Sequence, residues 1–334
     1  MVIIMIIDKV IRKQIAITLK QIQKYMKDIT DKEIKLTLRD LDDIGKLVIE
    51  RHNNSKKKIN QYMKSEISLS FLGIVCIAHF SLAINQKEDS SRPLPSSWIK
   101  SEQQPDPNYI ISNLLVHVTN HSLAILKLVC NGLDPSARVL LRVLNELSWL
   151  TIILSADRDK IVLYHKAFQD GEEENVWYKH FRLKNLNKNL SDIEKKLGLD
   201  VDQELLKILK ENREKAYKFY SKYLHNCYSN IMIQSYAQSF ENEEHLDFAL
   251  FGKETVWSLD TLNNLNWILF YLIGILIPLF KTMHNFIPPV DNELWRYTVY
   301  LRHLFTEIYL YVIQLHERNG LFLDQVSVHS SKKS

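Results

Sequence analysis

Glycine and proline are scarce in this chain, eight of each among 334 residues, and cysteine occurs only three times. A sheet-rich fold with many tight turns is disfavoured, because such turns draw on glycine and proline for their backbone angles. Cys76, Cys130 and Cys227 are widely separated and odd in number. They suggest neither a disulfide framework nor a thiolate zinc site, and they fit a reducing cytoplasm. Internal repeats and a Gly-rich phosphate loop are also missing. What is abundant is Leu, Ile, Lys, Glu and Asn, the composition of an all-α chain. A net charge of +4 permits contact with phosphates without demanding it.

Long uninterrupted apolar runs are lacking as well. Residues 1–7 are apolar, but Asp8 and Lys9 follow at once, which is too short and wrongly flanked for a signal peptide. The runs 69–84 and 267–280 are broken by His79 and by Gly274 and Pro278. Both fall short of the ~20 residues of a membrane span, so they read as buried core helices and no membrane partner is expected.

Along the chain, 3–27 has apolar residues spaced three and four apart, an amphipathic helix suited to homo-oligomer contact. Thr30 and Glu33 read as a capping box for a helix over 31–52. The polar run 52–58, with Lys56, Lys57 and Lys58, reads as a solvated helix start or turn before a third helix over 59–85. Four prolines interrupt 85–108, where Trp98 and Ile99 are expected to pin a loop to the body. Further helices are expected over 109–132, 135–156, 157–180 (broken at Asp170-Gly171), 202–240, 257–284 (kinked at Pro278) and 291–318. Ser191 and Glu194 read as another capping box, with Gly198 as its helix stop. The implied organisation is an N-terminal helical segment (1–85), a linker or loop (86–108), a helical core (109–285), a C-terminal helix (286–325) and a tail (326–334).

The stretch 134–154 organises the rest. Asp134 suits an N-cap and Pro135 the first helical position, and leucine and valine then cover most of the circumference. One stripe is left for Arg138, Arg142, Asn145, Glu146 and Trp149, which faces either solvent or a buried polar site. A second line, Arg213, Tyr217, Ser221 and His225, recurs every four residues with Tyr220 beside it. If the two lines meet, Arg142, Glu146, Ser221 and His225 form a polar centre and Arg138 binds phosphate. The plainer readings are a surface Arg–Glu pair, a satisfied core histidine and tyrosines used for packing. His117 and His121 have zinc-competent spacing, but Val118 stands where a metalloprotease has Glu and a third ligand is missing. Neither a metal nor a cofactor is expected.

The segment GLDPSARVLLRVLNELSWLTIILSAD (132–157), with YSKYLHN (220–226) later, resembles an uncharacterised family of bacterial helical domains. That family is thought to be similar to HEPN-type bundles. The resemblance covers about 110–285 and picks out Arg138, Arg142, Glu146, Ser221 and His225. It implies a HEPN-like helical bundle with an added N-terminal segment, and RNA as a partner in stress response or phage defence. HEPN ribonucleases use an arginine to stabilise phosphate charge and a histidine a few positions on for proton transfer at the 2′-hydroxyl. Arg158 with His165, and Arg296 with His303, have the required spacing, whereas His225 lacks such an arginine. The alternative is a non-enzymatic interaction or ligand-sensing module in which Arg, Glu, Ser and His form a structural network.

Overall fold

The computed structural model describes residues 9–30, 37–101, 104–199, 207, 209–214, 235–238, 240, 246–249 and 252–318. It is an all-α bundle: α1 (Lys9–Thr30), α2 (Leu38–Tyr62), α3 (Lys64–Ile84), α4 (Pro107–Cys130), α5 (Asp134–Ala156), α6 (Arg158–Gln169), α7 (Glu173–Val176), α8 (Leu183–Lys196), α9 (Trp257–His284) and α10 (Glu293–Arg318). Residues 209–214 are also helical. One antiparallel ribbon, β1 (Tyr236–Gln238) with β2 (Leu246–Phe248), pairs Ala237 with Asp247.

The apolar core runs from Ile59 to Val312. Helix α3 packs against α4, α9 and α10, while α5 packs against α4, α8 and α9. Gly73 makes the α3 crossing close: a Cβ there would sit 2.8 Å from the Phe305 ring and 2.9 Å from Leu269. Leucine and isoleucine at 0% exposure on α5 and α9 fill the centre, each such side chain contributing about 1.5–3 kcal/mol of apolar burial. Helices α3, α4, α5 and α9, of 21, 24, 23 and 28 residues, are long and apolar enough to cross a membrane. The helices thus outrun the short apolar stretches visible in the sequence, and roughly half of each apolar window is buried inside the bundle.

Several element boundaries differ from expectation. Thr30 belongs to α1, and the cap of α2 is Thr37, whose hydroxyl accepts from Asp40 N while the Asp40 carboxylate accepts from Thr37 N. The polar run 52–58 is helical throughout, because no glycine or proline interrupts it and Ser55 and Ile59 are buried while Lys56 and Lys57 stay solvated. Ser191 and Glu194 lie inside α8 rather than at its start, since both face Arg213. A helix over 202–240 is excluded at its end by strand β1. Pro278 sits within α9 without ending it.

The loop after α3 is closely tied down. Asn108 receives the Leu94 N–H at 3.1 Å and donates to the Leu94 carbonyl at 3.0 Å, and the Trp295 indole donates to the Ser91 carbonyl at 2.7 Å. Arg92 pairs with Asp106, which also caps α4. Trp98 packs on the core as expected, whereas Ile99 is 36% exposed.

Candidate functional site: the cleft beside α6

The polar stripe of α5 divides into a buried half and an outer half. Arg138, Asn145 and Trp149 are at most 4% exposed, while Val143 on the supposed apolar side is 44% exposed. Asp134 does not cap the helix; its carboxylate serves Arg138 instead. Arg138 Nε donates to Asp134 at 2.6 Å and to the Thr261 hydroxyl at 3.1 Å, and Nη2 donates to the Trp257 carbonyl at 2.6 Å. The Thr261 hydroxyl in turn donates to Asp134. Gly132 makes this closure feasible: at φ +73° its turn lies against the backbone of Lys253, whose N–H donates to the Gly132 carbonyl at 3.0 Å.

Nearby, burial pushes the Asp260 carboxyl up to about 6; Arg138 opposes that rise and Asp134 adds to it. The cavity against Asp134, Arg138 and Trp257 holds about 20 Å³. That is room for about one water, which needs at least roughly 10–15 Å³, and not for a phosphate. Arg138 is therefore a sealed structural cation. Further along the same helix, Arg142 and Glu146 pair at 3.0 Å with each side chain 25% exposed.

Of the second line, Arg213 is buried and donates to Glu194 and, at 3.0 Å, to the Ser191 hydroxyl. Tyr271 donates to the same Glu194 carboxylate at 2.6 Å. Burial and the Glu194 charge raise the Tyr271 phenol well above its ordinary range, so it remains a donor. Ser221, His225, Tyr217 and Tyr220 lie outside the described residues, and so does the expected meeting of the two lines. His121 Nδ1 is 2.9 Å from the His117 carbonyl, and no group of three metal-ligating side chains occurs among the described residues. Arg296 and His303 are both exposed on α10.

Arg158 and His165 have a different setting. Asp157 caps α6, accepting from Asp159 N at 3.0 Å and Lys160 N at 3.3 Å. Seven residues of helix advance about 10 Å and return nearly to the same side, so both side chains leave α6 on one face. That face and the proline-rich loop enclose a cleft of about 190 Å³, lined by Arg158, His165, Lys166, Gln104 and Trp98. Arg158 Nε donates to the Trp98 carbonyl at 3.1 Å, which anchors the guanidinium. Arg158 Nη2 and His165 Nε2 are buried and without a hydrogen-bond partner among the described residues. Nine other buried side-chain atoms among the described residues also lack a partner, Arg213 Nε among them; what sets these two apart is that their residues line one cleft.

Trp98 is held from behind by His284, with ring centroids 5.0 Å apart and planes at 86°. His284 Nε2 lies 2.7 Å from the Ser155 carbonyl. Burial lowers the His284 imidazolium below its ordinary 6.5, so at neutral pH the ring is uncharged and its Nε2 proton is the one donated to Ser155. Lys166, Gln104 and His284 were not legible as site residues in the sequence. Gln104 and His284 come from segments far from α6, while Lys166 follows a residue already marked by the arginine–histidine spacing. Comparison with family models, with curated proteins and with solved structures finds no match.

Proposed function

We propose that this chain is a HEPN-like ribonuclease whose cleavage centre is the cleft between α6 and the loop 85–106. The observation that carries the proposal is that Arg158 and His165, each with an unpartnered nitrogen just beneath the surface, line one cleft. At about 190 Å³ the cleft is below the roughly 300–1,000 Å³ of pockets for drug-sized ligands, a size suited to a phosphodiester and its ribose. In this reading Arg158, fixed through Nε by the Trp98 carbonyl, donates from Nη2 to a phosphate oxygen. His165 Nε2 takes the proton of the 2′-hydroxyl, whose oxygen attacks phosphorus. The bond to the 5′-oxygen breaks, that oxygen takes a proton from solvent, and a 2′,3′-cyclic phosphate is left. Lys166 adds positive charge at the rim, which Asp170 also lines.

The test is cleavage of single-stranded RNA by purified protein, with product ends analysed. Cyclic-phosphate ends from the wild type, no cleavage of a 2′-deoxy strand and loss of cleavage in Arg158→Ala and His165→Ala are expected. Full activity in both variants, or none in the wild type, sinks the proposal; loss only in His225→Ala moves the centre elsewhere. The second reading, a non-enzymatic module, draws on the sealed Asp134–Arg138–Thr261 cluster, which fixes how α5 meets α9 with no access for substrate. For assembly we propose self-association through α1, supported by Ile17, Ile22 and Tyr25, which are 43%, 46% and 64% exposed. Light scattering with and without residues 1–27 tests it; an unchanged monomer rules it out.

A further inference from the structure

The other side of α6 borders a second cavity, of about 350 Å³ and unlike the first in character. Tyr164 from α6 and Trp177 and Phe181 from the π-helical turn Trp177–Phe181 supply three aromatic rings, with Val176 beside them. Tyr164 meets Phe181 at 5.9 Å with planes at 89°, and Trp177 meets Phe181 at 6.0 Å with planes at 38°. The rings therefore form non-parallel walls rather than one stack. Phe181 is 1% exposed and Trp177 36%, so the cavity has a buried floor and an open wall.

The charged residues lining it are Glu173 and Glu174; no lysine, arginine or histidine does so. Neither carboxylate takes part in an ion pair among the described residues. Acidic residues in a first helical turn favour the α7 dipole, which explains their presence there but not the aromatic walls they face. Burial, and then the nearby Glu173 charge, raise the Tyr164 phenol above its ordinary range. The local π-winding matters because widening the turn re-aims the side chains it carries, and such bulges are frequent at functional sites.

We propose that the cavity of Tyr164, Trp177 and Phe181, rimmed by Glu173 and Glu174, is a binding site for a small organic ammonium ion. Ring faces attract a cation through their quadrupoles, and a methylated ammonium loses little hydration on entering an apolar pocket. The two carboxylates supply the countercharge. An inorganic anion or a phosphate would meet the wrong sign. The site is independent of the ribonuclease reading, since it uses the opposite side of α6.

The experiment is calorimetric titration of the full-length protein with choline and with its uncharged isostere 3,3-dimethylbutan-1-ol, at low and high salt. Choline is expected to bind at least about tenfold more tightly than the isostere, and to weaken with salt. Trp177→Ala is expected to weaken choline about tenfold or more, and the double variant Glu173→Gln, Glu174→Gln to abolish the preference for the charged ligand. The double variant keeps side-chain shape, so it decides the matter if Trp177→Ala fails to fold. Equal affinity for the two ligands, no choline binding, or unchanged selectivity in the double variant overturns the proposal.

Discussion

Arg138 and Arg158 lie on adjoining helices, and each has a guanidinium held by backbone carbonyl oxygen, yet they leave very different openings. Around Arg138 the acceptors are complete: Asp134, the Thr261 hydroxyl and the Trp257 carbonyl surround it, and the remaining space suits one water. Around Arg158, Nε is satisfied by one carbonyl, Nη2 has no partner among the described residues, and the residue lines a cleft. A buried cation with its full set of partners fixes packing; Arg158 is only half-buried and borders a cleft, which leaves it room for a further partner. Of the α5 stripe, the Arg138 end is thus spent on structure, whereas Arg158 and His165 of the weaker spacing line a cleft.

The largest effect should come from breaking the complete cluster. Arg138→Ala leaves the Asp134 carboxylate buried without its cation, and is expected to cost about 3–5 kcal/mol in denaturant unfolding. A loss under about 1 kcal/mol would mean that the cluster is not sealed. His165→Ala sharpens the contrast from the other side. It should leave unfolding midpoints nearly unchanged while cleavage of RNA falls about 100-fold or more, as expected for a proton-transfer group. A comparable loss of stability would place His165 with the structural residues.

Next in size is the pH dependence carried by Asp260. Its carboxyl sits at about 6 in the folded chain against an ordinary 3.8. The folded state therefore holds this proton more tightly. The stability it contributes is complete below pH 3.8 and is lost as pH rises through about 6. At roughly 1.4 kcal/mol per pH unit the difference across that window is about 3 kcal/mol. Asp260→Asn should flatten the unfolding free energy between these pH values and raise it at neutral pH; an unchanged pH profile would remove Asp260 from the cluster. The smallest effect belongs to Arg142→Ala, about 0.5 kcal/mol or less, because a quarter-exposed pair one helical turn apart adds little. A loss of several kcal/mol there would reverse the ranking of the two halves of the stripe.

Helices with strong apolar periodicity or clear punctuation were legible from residues alone. Gly132 stops the turn after α4, Pro135 opens α5, and Asp170-Gly171 separates α6 from α7. Boundaries failed where two similar signals competed. Thr30 and Thr37 each have an acidic residue three positions on, and only the latter caps a helix. Ser191 and Glu194 have the spacing of a cap but are drawn to Arg213, a partner distant in sequence. In the candidate site, the spacing of Arg158 and His165 could be read directly, whereas the wall opposite them could not. It is made by Trp98 and Gln104, on a loop whose position depends on His284, Trp295 and Asn108.

By itself the chain determined its helical class, because periodic leucine and isoleucine with few breakers leave little else for the backbone to do. It also determined which side chains share a helix face, since that follows from a fixed rotation per residue. Only the tertiary structure decided which charged faces are closed and which are open. Closure depends on acceptors supplied by other segments, as Thr261 and Trp257 do for Arg138, and desolvation makes each missing partner count.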